Sequence, residues 1–417
     1  MIRHIFLLIW NQRKNNAWLW AELALVSLFL WMIVDYLYVT GKNYYTPLGY
    51  DIEHTYLVDL KEVSDRSDRY IPEAEKTTTS GEDLLAAADR IRTYPGVEYV
   101  SLSDGGMPYV SKERYKNVTI DTSSVNVRYY LVTPSFFDVF RTPIPAEKTA
   151  GLNRKTGEPY AVVATEDLVD EVPGGFQAGQ PLYRNESDSI PYTVRGISSP
   201  IRAHEYTRPY PSCFFLVTDQ EIASNPKLNA SWIEICVRVA PEADRDFAAR
   251  FRKDMSRQMQ IGNLYLMDVQ SLSDIRHSYI ANTGAESDLK TRLSIAFFLL
   301  INIFLGIIGT FWLRTEHRKG EMGLRMALGS TRNRLRELLL SEGIALLIVA
   351  FLPAMLISLN VAYLEVIDTE LLPFSWGRFL ICQGITFAAM SGMIVLGIWY
   401  PARQAARLEP ANALHYE

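Results

Sequence analysis

The side chains able to do chemistry in this 417-residue chain are scattered rather than assembled. His204 adjoins Glu205, and Asp51, Glu53 and His54 lie close together in sequence. Neither group has the tight ligand spacing of a metal site, so no resident metal is expected. Cys213 and Cys236 sit in strand-like apolar runs and read as buried free thiols, although an oxidising compartment would permit a bridge between them. Cys382 lies in a longer apolar stretch. No Ser/His/Asp or Cys/His set stands out, and no G-x-x-x-x-G-K-[ST] loop occurs, so nucleotide binding of the P-loop kind is not expected here. Thr193–Gly196 and Asp104–Gly106 read as strand ends and turns, not ligand loops. Asn185-Glu186-Ser187 is a formal glycosylation sequon of little meaning outside a eukaryotic secretory protein. Catalysis is therefore the least favoured class of function.

What remains is a chemistry of docking. Residues 314–342 read RTEHRKGEMGLRMALGSTRNRLRELLLSE, with seven Lys or Arg against four Glu. Basic residues beside membrane spans stay on the cytoplasmic side. Within this stretch, Glu321 to Leu328 is helix-prone and carries Met322, Leu324, Met326 and Leu328 over about half its surface. Gly329 supplies a stop, and Ser330-Thr331 can cap the next helix. A short apolar-faced helix on basic arms suits the groove of a soluble partner.

The elements that must position it are membrane spans. Net charge is −5 and 48% of residues are hydrophobic, close to a soluble average. That average hides apolar residues massed at the start and in the last third, which points to a membrane protein with a large soluble domain. No basic stripe for nucleic acid is present. Residues 1–16 read as a cytoplasmic interfacial helix, with Ile2, Ile5, Phe6, Ile9 and Trp10 on one face. Spans are expected at 17–39, 291–313, 343–364 and 378–400, each near the roughly 20 residues a bilayer requires. Glu22 and Asp35 fall near the ends of the first span and read as structural rather than as an ion path. Pro353 is a candidate kink in the third. Ala388 with Gly392, and Gly306 with Gly309, offer small surfaces for close helix contact. The loop 365–377 is acidic, which suits the outer side, and 401–417 forms a cytoplasmic tail.

Residues 40–290 contain no spanning candidate. Strands are predicted at 54–60, 97–102, 126–132, 160–163, 192–197, 213–217, 232–239 and 265–269, and helices at 81–92, 134–140 and 243–259. The fold class expected is membrane α-helical, four transmembrane helices, with a large α+β extracytoplasmic domain inserted between helices 1 and 2. Residues from about 145 to 220 are expected as a β-rich insertion in that domain. Residues 271–290 are expected as a stalk helix running on, nearly continuously, into the second span.

RTEHRKGEMGLRMALGS resembles the cytoplasmic signature of the MacB/FtsX-like permeases of ABC transporters, close to R-T-x-x-R-x-x-E-I-G-x-R-x-A-L-G-A. Arg314, Thr315, Arg318, Glu321, Gly323, Arg325, Ala327, Leu328 and Gly329 match; Met322 and Ser330 depart mildly. The ending PARQAARLEPANALHYE resembles the tail of the same family, and VRYYLVTPSFFDVFRTPI more loosely resembles a segment of MacB-type periplasmic domains. The resemblance implies that Arg318, Glu321, Met322, Gly323, Leu324, Arg325, Ala327, Leu328 and Gly329 form a coupling helix touching an ATPase. It implies a bacterial inner-membrane location with both termini cytoplasmic and residues 40–290 periplasmic. Implied partners are a separate ABC ATPase homodimer, which would hold ATP and Mg, a second permease copy or paralogue, and a periplasmic adaptor or membrane-fusion protein. No cofactor is expected in this chain. The function implied is mechanotransmission, the conversion of ATP hydrolysis into movement of the outer domain, for export of a drug, peptide or other substrate. Regulation of a periplasmic hydrolase and lipoprotein release fit the same architecture. A membrane-anchored sensor without an ATPase is the alternative of another class.

Overall fold

The computed structural model describes residues 13–405, apart from 73–74, 111–113, 146, 148–150, 153, 155–157, 185–189, 227 and 370. Most of the expected interfacial helix, the tail beyond residue 405 and the sequon lie outside the described residues. The chain forms two compact units, residues 1–44 with 287–417, and residues 45–286.

In chain order the elements are α1 (Arg13–Tyr45), β1 (Thr55–Glu62), α2 (Ser80–Arg92), β2 (Val97–Asp104), β3 (Tyr115–Ile120), β4 (Ser123–Val132), α3 (Phe136–Val139), β5 (Ala161–Thr165), α4 (Glu166–Glu171), β6 (Pro181–Tyr183), β7 (Pro191–Ser198) and β8 (Ser212–Leu216). They continue with α5 (Asp219–Ala223), β9 (Glu234–Val239), α6 (Phe247–Met255), β10 (Leu264–Ser271), α7 (Leu272–Thr283), α8 (Ala285–His317), α9 (Lys319–Ala327), α10 (Arg332–Tyr363) and α11 (Trp376–Ala405). The helices α1, α8, α10 and α11 each contain a segment long and apolar enough to cross a membrane.

These four helices bury a shared core of Leu23, Leu30, Trp31, Phe311, Leu346, Leu347, Met390 and Ile394. The glycines at close contacts differ from those expected. A Cβ on Gly343 would meet Ile398 Cδ1 at 2.7 Å, and one on Gly397 would meet the Ile308 Cα at 3.2 Å. Gly306, Gly309 and Gly392 have nothing within 4 Å of such an atom. α10 runs unbroken through Pro353.

A charge pair unforeseen from sequence locks the first span to the last. Asp35, 2% exposed, accepts two hydrogen bonds from the Arg378 guanidinium, at 2.8 and 2.5 Å. Arg378 also donates to the Asp368 carbonyl at 3.0 Å and to the Leu372 carbonyl at 2.5 Å. Such fork-to-fork geometry satisfies both ions where water is absent. Glu22 accepts from Thr310 Oγ1 at 2.9 Å, tying α1 to α8.

The other unit is built on one sheet of ten strands, ordered β10-β1-β9-β2-β4-β3-β6-β7-β5-β8. A further parallel pairing of β4 with β8 closes β4, β3, β6, β7, β5 and β8 into a six-stranded ring. The ring is filled by Val118, Val127, Val162, Val194, Cys213 and Phe215. Its β-rich part therefore starts at Tyr115, not near residue 145, because β3 and β4 are needed to complete the closure. Sequence missed β3 and β6; the first is polar and the second only three residues long. The remaining four strands carry α2 and α6 on a second core of Leu84, Ile91, Val237, Phe247 and Phe251. Cys213 and Cys236 are buried and free, and burial pushes both thiols up.

The expected stalk is not one rod. α7 ends at Gly284, which takes φ +71°, and α8 begins at Ala285. A left-handed residue cannot continue a right-handed helix, and glycine adopts that conformation without a Cβ penalty. α7 belongs to the β-containing unit: Leu272 and Ile280 are buried there. Arg276 donates to the Glu205 carboxylate at 2.5 Å, and Tyr109 donates to it at 3.1 Å. Burial pushes the Glu205 carboxyl up, but backbone hydrogen bonding, Arg276 and Tyr109 leave it below its usual range. Tyr279 meets Tyr109 edge to face at 5.9 Å.

Candidate functional site

α9 is nine residues long, too short to be stable alone in water. Its support comes from charge pairs at its start. Arg314 and Arg318 converge on Glu342 of α10, donating at 2.8 and 2.7 Å. Arg318 also donates to Glu321 at 2.8 Å, and Glu321 accepts from Arg325 one turn later at 2.7 Å. The chain Arg314–Glu342–Arg318–Glu321–Arg325 thus joins the end of α8, the whole of α9 and the first third of α10. Hydrogen bonding from Arg318 holds the Glu321 carboxyl below the usual range, against the effect of burial.

The end of α9 is set by backbone geometry. Gly329 takes φ +91°. Its N–H donates to the Met326 carbonyl at 3.0 Å, and Ser330 N–H donates to the Arg325 carbonyl at 3.0 Å. These two bonds are the Schellman arrangement. Thr331 then caps α10, accepting from the Arg334 N–H. The stop and the cap read from sequence fall at these residues.

The apolar face divides. Met326 packs inward against the core of the spans. Leu324 and Leu328, four residues apart on one face, are 53% and 80% exposed. The side chains of Met322 and Ala327, and the exposure of Gly323, lie outside what the structure describes. Of the residues singled out by sequence, Arg318, Glu321 and Arg325 are brought together, Gly329 forms the stop, and Leu324 and Leu328 face outward. Sequence reasoning missed Glu342. Its only signal was an acid near the start of an apolar helix, opposite a run of arginines. Among the described residues no cluster of three or more His, Cys, Asp or Glu could hold an ion.

Residues 293–410, which carry this whole arrangement, match the family model described as FtsX-like permease C-terminal. That stretch is similar to the permease segment of MacB/FtsX-like proteins. The chain is 30% identical over 140 residues to the ABC transporter permease YknZ of Bacillus subtilis, covering 33% of this chain and 34% of that one. It is 21% identical over 327 residues to the macrolide export ATP-binding/permease protein MacB of Salmonella typhimurium, covering 74% of this chain and 46% of that protein. The chain thus spans less than half the length of the curated relatives it matches. Among solved structures, the periplasmic region of MacB from Actinobacillus actinomycetemcomitans aligns with a TM-score of 0.33 and 11% identity, covering 55% of this chain and 94% of that one. The FtsX-like match and the four apolar helices together make this a multi-pass membrane protein.

Proposed function

We propose that this permease is the membrane subunit of an ABC transporter of the MacB/FtsX type, driven by an ATPase on a separate chain. The observation that carries the reading is the pair of outward-facing leucines, Leu324 and Leu328, on a short helix clamped at one end and capped at the other. Exposed leucines cost solubility unless something covers them, and here they stand on the loop between two spans. On this reading Leu324 and Leu328 seat in the ATPase, Arg318, Glu321 and Arg325 hold the helix rigid against it, and Met326 ties it to the spans. ATP and Mg are held by the ATPase homodimer, and a second permease copy completes the unit. The loop 314–342 and both termini face the cytoplasm, and residues 45–286 lie beyond the lipid, where an adaptor or cargo meets them.

Displacement of α9 then reaches α8 through the Arg314–Glu342–Arg318 network and is delivered along α8 to Gly284. Because the helix breaks there, α7 moves with the outer domain and Gly284 acts as the joint. The cargo we infer is a drug, peptide or similar exported molecule; the MacB relative is described as a macrolide exporter.

The test replaces Leu324 and Leu328 singly with Glu and follows co-purification of the ATPase and its stimulation. Both residues are exposed, so the permease itself folds. Loss of at least tenfold in ATPase association is expected. Unchanged association and stimulation would discard the assignment. Side is tested by cysteine labelling at positions 328 and 99, which must react from opposite sides of the membrane.

A further inference from the structure

Where the ring meets the four-stranded flank, the sheet is thin. β2 pairs with β4 through Ser103↔Val132 and Asp104↔Leu131 alone. Beside this seam a cleft of about 330 Å³ opens between α2, β2, β4 and the segment that follows α5. That volume falls at the lower end of the range for small-molecule sites, about 300–1,000 Å³. Its floor is apolar, from Leu84, Leu102, Leu131, Ile222 and Leu228. On its rim stands Trp232, 65% exposed, an indole held at the surface of a folded domain. Asn225 and Asn229 add carboxamides to the lining, the Asn229 oxygen already accepting from the Ser231 N–H at 3.0 Å.

The charges in the lining are already matched. Arg114 donates to both oxygens of Asp104 at 2.6 Å, and Glu221 is paired with Arg154. A charged ligand would be stripped of water without finding a new counter-charge. An aromatic ring, by contrast, gains an indole face and an apolar floor, and amide-type groups meet the two carboxamides.

We propose that this cleft binds a small uncharged aromatic molecule bearing amide-type hydrogen-bonding groups, with Trp232 stacking on its ring. The bound molecule touches β2 on one side of the seam and β4 on the other. The site is independent of the ATPase-docking helix and stands or falls separately from it.

The test uses the full chain in lipid nanodiscs and N-acetyl-L-tryptophanamide as the probe, read by saturation-transfer difference NMR with empty nanodiscs subtracted. Transfer to the probe's indole protons is expected from the native protein. It falls about fivefold in Trp232→Ala, whose side chain is solvent-exposed and leaves the core intact. It falls as far in Leu228→Trp, which fills the cleft. Melting curves of both variants confirm folding, and a loss in either folded variant supports the site. Transfer no greater than from empty nanodiscs, or equal in the native protein and both variants, overturns it.

Discussion

Replacing Glu342 with Gln is the sharpest probe of the clamp on α9. Gln keeps the shape but removes the charge shared by Arg314 and Arg318, which donate to it at 2.8 and 2.7 Å. A hydrogen bond to a charged group contributes about 1.5–3 kcal/mol. The two do not add in full. Both arginines retain some contact with water, their side chains being 21% and 22% exposed, and Arg318 keeps Glu321 as a second partner. We expect a loss of about 2 kcal/mol in the anchoring of α9, roughly a 30-fold shift in its opening equilibrium. Hydrogen exchange of the full chain in nanodiscs reads this directly, because local opening sets the exchange of short helices. Amides at 319–327 should exchange about 30-fold faster, while those in the middle of α10 stay unchanged. Glu337→Gln, on the exposed side of α10, should leave α9 as it was. Equal exchange in Glu342→Gln and the native protein would refute the view that this carboxylate holds the helix.

Three further outcomes follow from the geometry. Asp35→Ala should cost about 3–5 kcal/mol in detergent unfolding, because it strands a buried guanidinium, whereas Asp35→Leu combined with Arg378→Leu should recover most of that loss; equal losses in the single and double variants would show that the pair is not coupled. Gly284→Val should lower the melting temperature by about 2–4 °C, since a β-branched residue pays about 1 kcal/mol or more at φ +71°, and Gly284→Asn should lose less than half as much. Burial pushes the Glu234 carboxyl up despite hydrogen bonds from Ser103, Gly105 and Met107. Ionising it therefore costs more in the folded than in the unfolded state. Its contribution is complete below the ordinary glutamate value of about 4.3 and is lost as pH rises through the higher folded value. The melting temperature of the native protein relative to that of Glu234→Gln should thus fall as pH climbs above about 4.3, and a difference independent of pH would contradict this.

Much of α9 was legible because several of its determinants are local. A helix-prone run, the glycine after it that takes φ +91° and a threonine cap act within four residues of themselves, so Gly329 and Thr331 could be read in order along the chain, while α9 begins two residues before the expected Glu321. The spans were legible for a similar reason: length and apolar content are properties of a segment alone. Which face of α9 turns inward was not legible. Met326 and Leu328 look alike in sequence, and only the neighbouring spans decide that one packs and the other is exposed.

The same division runs through the rest of the molecule. Sequence by itself determined four membrane-crossing helices, a long inserted domain and a basic loop, because these depend on composition over a dozen or more adjacent residues. Tertiary structure alone decided that Asp35 meets Arg378, that Glu342 joins two arginines, and that β4 reaches β8 to close a ring. Those pairings link positions 343, 28 or 24, and about 84 residues apart. No local preference encodes them; they exist because packing brings distant charges and strand edges together.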